Sequence, residues 1–112
     1  MANQHTNPRV VLLRKDRLNY VVSCLVLYYE TPMDKIMAYY RRPDKVDRKR
    51  MAIKALRDLA DLSYKEISAV AKNAEEGMWE HYNNISERIE YDKSLRETYN
   101  EIKQKILGYE KE

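Results

Sequence analysis

An all-α fold of five to six helices is predicted by three features of this sequence. It holds only two Gly and three Pro in 112 residues, its apolar residues recur at helical spacing, and capping residues stand where those runs begin. Strands joined by tight turns need more glycine than this. At this length the chain is one domain, large enough for a single hydrophobic core and too small for a catalytic domain plus a second module. Phe is absent and Tyr occurs ten times, so Tyr, Leu, Ile, Val and Met must close the core. Tyrosines bury their rings and keep their hydroxyls near water or a partner, which suits a thin helical domain with many half-buried positions.

The elements follow in order. Residues 1–10 read as a flexible polar tail, with a single helical domain over 11–112. A first helix, Val11 to Tyr29, carries Leu18, Val21, Val22, Leu25, Val26 and Tyr29 on one broad stripe. Glu30-Thr31-Pro32 is a stop and restart, with Thr31 as cap and Pro32 at the first position of a helix over 32–40. Residues 41–50 form a basic loop, where Pro43 disfavours helix at Arg42 and Asp44 or Asp47 serves as cap. A third helix over 47–60 uses Met51, Ile53, Ala55, Leu56 and Leu59.

Ser63 with Glu66 three residues later is a capping box and starts a short fourth helix at 64–71. Lys72-Asn73 links it to a fifth helix over 74–90, with Asn73 and Glu76 as a second capping pair and Met78, Tyr82, Ile85 and Ile89 on one stripe. Asp92 or Ser94 opens a sixth, 93–107, with Leu95, Tyr99, Ile102 and Ile106. A short capped helix, a tight turn and a longer helix over 63–90 give the outline of a helix-turn-helix.

Several chemistries lack their residues. Gly77 and Gly108 are isolated, so there is no glycine-rich phosphate loop. His5 and His81 are the only histidines. His81 with Glu76 and Glu80 is a weak ligand set without a second histidine, and a surface or half-buried histidine is the expectation. The lone Cys24 lies within VVSCLVLYY and reads as a small core hydrophobe. The carboxylates are spread over charge-rich helical faces, where no acid/base pair stands out. The chain is therefore expected to be a non-enzyme without cofactor or metal. The polar N-terminus is not a signal peptide and the apolar run from Leu18 to Tyr29 is too short to span a membrane, so the expected compartment is the cytoplasm.

The net charge of +3 is unevenly placed. Residues 1–57 carry 13 Lys/Arg against 5 Asp/Glu, whereas residues 58–112 carry 8 against 13. A basic half of this kind can track phosphates, the other reading being helix faces of mixed sign in solvent. The density is highest at Arg41, Arg42, Lys45, Arg48, Lys49 and Arg50, with Lys54 one turn on.

Three passages, LVLYYETPMDKIMAYYRR, RRPDKVDRKRMAIKALRDL and LADLSYKEI, resemble the DNA-binding C-terminal domain of the bacterial replication initiator DnaA, the last being close to the family's LTDLSLPEI. The resemblance covers Val21 to Leu107. It implies a Trp-repressor-like fold, double-stranded DNA as partner, a role in replication initiation or its regulation, and phosphate contacts from the seven basic residues just named. It also makes Lys72, Asn73, Glu75, Glu76 and Trp79 the turn and the start of a recognition helix in the major groove. The family's signature there, GGRDHSTV, is replaced by KNAEEGMWEHY, so the Arg, His and Thr are gone and only an acidic residue, Glu75 or Glu76, stands near the family's Asp. Every base-reading side chain missing from the signature removes about 1–3 kcal/mol of discrimination, and the family's usual site is not the expected target. Trp79 is expected to anchor the core. Were it exposed beside Met78 and Tyr82, it would mark a protein interface, and an interaction module that kept the fold without binding DNA is the alternative reading.

Overall fold

The computed structural model describes residues 8–71 and 77–111, with side chains over 16–71 and 77–108. Among the described residues all regular structure is helical: α1 Pro8–Tyr29, α2 Met33–Ile36, α3 Pro43–Leu59, α4 Tyr64–Ala71, α5 Met78–Tyr91 and α6 Lys93–Lys111. The predicted helix-turn-helix span holds α4 and α5, but its expected turn, Lys72-Asn73, and the expected first residues of the fifth helix, 74–76, lie outside the described residues.

Helix α3 is the centre of the fold and packs against all five other helices. Its sequence explains why. The first half, PDKVDRKR, is polar, whereas from Met51 onward the apolar residues no longer keep to one stripe: Met51, Ala52, Ile53, Ala55, Leu56 and Leu59 are all buried. A helix apolar on every side must be surrounded. Val21 and Leu25 of α1, Ile67 of α4, Met78 and Ile85 of α5, and Tyr99, Ile102 and Ile106 of α6 close the core around it, with Ile36 and Met37 beside them. The periodic stripes expected for the first, fifth and sixth helices are the ones that face inward. Cys24 packs against this core, half-buried.

The helix ends differ from expectation in instructive ways. Helix α1 begins at Pro8, earlier than Val11. Glu30 adopts φ +50°, Thr31 N–H reaches Val26 O at 3.2 Å and Glu30 N–H reaches Leu27 O at 3.3 Å, the bonding of a Schellman C-terminus. Thr31 is not the cap of α2. That position is Pro32, and the Thr31 hydroxyl turns back to Tyr29 O at 2.8 Å. Helix α2 stops at Ile36 rather than running to residue 40. The basic segment is mostly helix rather than loop. Arg42 is extended, as the residue before proline should be, and Pro43 is itself the first residue of α3, where its missing N–H costs no hydrogen bond. Asp44 thus falls in the first turn of α3, and Asp47 forms a bidentate pair with Arg88 of α5 at 2.7 and 3.1 Å.

The capping box forms as expected: Ser63 N–H donates to Glu66 Oε1 at 2.9 Å and Glu66 N–H to Ser63 Oγ at 3.1 Å. Asp92 caps α6 through Leu95 N–H at 3.2 Å. Tyrosine hydroxyls then lace the helices together. Tyr20 donates to Lys105 O at 3.3 Å and Tyr28 to Glu101 Oε1 at 2.6 Å, so α1 is fastened along α6. Burial and the bond to Glu101 push the Tyr28 hydroxyl up to about 12.

Candidate nucleic-acid interface

The seven basic residues of the 41–54 segment divide into two groups. Starting α3 at Pro43 winds five of them around a helix, and a helix cannot present all of these to one partner. Arg48, Arg50 and Lys54 turn inward. Arg48 donates to Thr31 Oγ1 and to Lys35 O, both at 3.4 Å, and so pins the α1–α2 connection to α3. Arg50 donates from Nε to His81 Nδ1 and from a terminal nitrogen to Asn84 Oδ1, both at 3.0 Å. Lys54 Nζ bonds Ser86 Oγ at 3.0 Å and pairs with Asp58 at 2.9 Å, lying over the rings of Tyr82 and Tyr99. These three cations tie α2, α5 and α6 to α3.

Arg41, Arg42, Lys45 and Lys49 form the outward group. Arg41 is exposed, and Arg42 is an exposed partner of Asp44 at 3.1 Å. That pair is screened by water and adds little to stability. Lys45 sits with Nζ 4.6 Å from the Tyr40 ring centre, and the Arg48 guanidinium lies 5.7 Å from the same ring. Lys49 is half-buried without a hydrogen bond or ion pair to any described residue, and desolvation lowers its ammonium from the ordinary lysine value.

Arg50 holds His81 and Asn84 while Asp47 holds Arg88 further along α5, so the first half of α3 is bonded to α5 at several points. The arrangement fixes the state of His81. Its Nδ1 accepts from Arg50, which requires a lone pair there and leaves the ring proton on Nε2. Desolvation, followed by repulsion from Lys49 and Arg50, lowers the imidazole below its ordinary value, with Glu80 opposing weakly. His81 is therefore neutral and half-buried, as expected from its sequence setting, but as a partner of Arg50. Among the described residues no cluster of three His, Cys, Asp or Glu could hold a metal ion, and no helix is long and apolar enough to cross a membrane.

Between the α2–α3 connection and α5 lies a cavity of about 250 Å³, lined by Ala38, Tyr39, Tyr40, Val46, Lys49, Arg50 and His81. Lys49 and Arg50 are expected from sequence as phosphate contacts, whereas the two tyrosines and His81 join the site only in the fold. The signal for them was the juxtaposition YYRR, in which aromatic rings immediately precede the cations.

The recognition-helix assignments fare unequally. Lys72, Asn73, Glu75 and Glu76 lie outside the described residues, as does the Asn73/Glu76 capping pair. Trp79 is not a core anchor. It is 61% exposed, while its neighbour Met78 is 2% exposed and takes the core position. The reason is register: Gly77, at φ +88°, immediately precedes the helix, and the stripe of Met78, Tyr82, Ile85 and Ile89 faces the core, which turns Trp79 outward. Leu27, Tyr39 and Tyr91 are the other large apolar side chains exposed among the described residues. No family model matches this chain, and no curated protein or solved structure matches it.

Proposed function

We propose that the chain is a non-catalytic, cytoplasmic, double-stranded DNA-binding protein similar to the C-terminal domain of DnaA, with a role in replication initiation or its regulation. In this reading Arg41, Arg42, Lys45 and Lys49 grip phosphates and α5 lies in the major groove. The observation that carries it is the pairing of Arg50 with His81 and Asn84. With Arg50 bonded to α5, Lys49 lines the same cavity as His81 of α5, which supports backbone contacts flanking a groove-bound helix. The altered signature makes the binding largely indifferent to sequence.

Fluorescence anisotropy with a labelled duplex tests this. Each phosphate neutralised contributes about −0.9 to the slope of log affinity against log salt, so four contacts give a slope of about −3.6. The Arg41→Ala/Arg42→Ala/Lys45→Ala variant should lose about 2.7 of it without losing stability, because none of the three ties helices together. Changing Arg48 and Arg50 instead would confuse binding with folding. A duplex that fails to bind even at low salt refutes the proposal.

The second reading, a protein-interaction module, is favoured by one observation, the 61% exposure of Trp79 on α5. Tryptophan is among the residues enriched at interface hot spots. Under that reading the parent binds no DNA, and a Trp79→Ala variant keeps its fold and loses a protein partner.

A further inference from the structure

Among the described residues, the cavity beside α5 presents donors and rings without a compensating anion. Lys49 brings three N–H groups, with no acceptor for them among the described residues. Arg50 uses two of its five N–H groups on His81 and Asn84 and has three left. His81, accepting at Nδ1, can donate only from Nε2. Among the described residues no carboxylate lines the cavity; Glu80, next to His81 in sequence, is exposed at the protein surface. Tyr40 is already covered by Lys45 and Arg48, but Tyr39 is 79% exposed and has its ring free for a ligand. At about 250 Å³ the space is below the range of pockets for drug-sized ligands, about 300–1,000 Å³, and is suited to a phosphate with a small part of what it carries.

We propose that this cavity binds a nucleotide whose base is unpaired, with the phosphate held by Lys49, Arg50 and His81 and the base stacked on Tyr39. A base within a duplex is stacked on both faces and cannot reach such a ring, whereas an unpaired one can. The ligand class rests on the nucleic-acid reading above and shares Lys49 with it, but Tyr39 and Arg50 are not among the duplex contacts named there, and the substrate differs, single-stranded rather than duplex. Lysine, a compact ammonium with rotatable donors, suits a phosphate approached from one side. The Arg50 fork, already fixed by His81 and Asn84, offers its remaining donors without further ordering.

The test is a titration of the full chain, followed by amide NMR shifts, with four probes: a 5′-phosphorylated oligothymidylate, inorganic phosphate, thymidine and a blunt duplex. The oligothymidylate should shift Ala38 to Tyr40, Lys49, Arg50 and His81, and phosphate should shift Lys49, Arg50 and His81 without Tyr39. Tyr39→Leu should weaken the oligothymidylate about fivefold or more, the worth of one stacked base, and leave phosphate unchanged. Lys49→Gln should weaken both. Tyr39 is exposed and Lys49 pairs with no described residue, so neither change breaks a described tie between helices. Oligothymidylate that leaves these amides unmoved, or binds equally well to Tyr39→Leu, overturns the proposal. Duplex binding in that case leaves the groove reading intact, and oligothymidylate bound in the cavity with a silent duplex sinks the groove reading alone.

Discussion

Tyr82 on α5 and Tyr99 on α6 donate their hydroxyls to the two different oxygens of one carboxylate, Asp58 of α3, at 2.6 and 3.0 Å. Lys54, one turn earlier on α3, pairs with the same carboxylate and lies over both rings. Three helices meet at this knot. Desolvation opposes the charged carboxylate, but the bonds from Tyr82, Lys54 and Tyr99 outweigh it and hold Asp58 below the ordinary carboxylate value.

Asp58→Ala should therefore destabilise the fold by about 2 kcal/mol. Hydrogen bonds to a charged group are each worth about 1.5–3 kcal/mol, and the partial exposure of Asp58 puts the sum at the low end. The Lys54 side chain, 12% exposed, would be left without its counter-ion. Urea denaturation should show a lower midpoint at unchanged slope. A midpoint equal to the parent's would mean that the knot adds nothing to stability.

Glu30→Gly should stabilise the protein by about 0.5–1 kcal/mol. Glu30 holds φ +50° at the C-terminus of α1, a backbone region in which a side chain is strained and glycine is not. The position is exposed and the closing bonds are made by backbone groups, so nothing else is lost. Thermal unfolding should move up by several degrees.

Trp79→Ala should change stability by less than about 0.5 kcal/mol, as surface substitutions do, rather than the 3–5 kcal/mol that a buried aromatic would cost. As the sole tryptophan, Trp79 should be readily quenched by iodide in the folded protein. Protection from iodide in the isolated chain would contradict the exposed placement.

Stability should fall as pH drops below about 6.5. His81 is held below its ordinary value of 6.5 in the folded protein, so between that pH and its lower folded value the unfolded chain takes up the proton first. Protonation then favours unfolding, and the stability present above 6.5 is lost progressively. Protonation also destroys the Nδ1 acceptor that Arg50 uses. Asp58 adds a second loss further down: its folded value is lowered from 3.8, so its stabilisation is present above that value and is lost as pH falls through the folded one. Denaturation midpoints measured across pH 6.5 in the parent and in His81→Asn check the first step, which should flatten in the variant.

The local sequence determined a great deal of this molecule. Scarce glycine and regular apolar spacing made it all-helical. The Ser63–Glu66 box and the Asp92 cap set two helix starts through bonds spanning three residues, which need no distant partner. The inward stripes of α1, α5 and α6 were legible because a helix buried on one side repeats with its own period. Tertiary structure decided the rest, where the outcome depended on which helix stands opposite. Seven cations within fourteen positions read as one phosphate-gripping group. Three of them face inward because His81, Asn84, Ser86 and the α1–α2 connection come to meet them over sequence distances of 13–34 residues. Trp79 pointed outward because its neighbour Met78 took the core position. The cavity at Tyr39 and His81 forms where α5 packs against α3 beside the Arg50–His81 bond, and no local rule contains a contact between residues 31 positions apart.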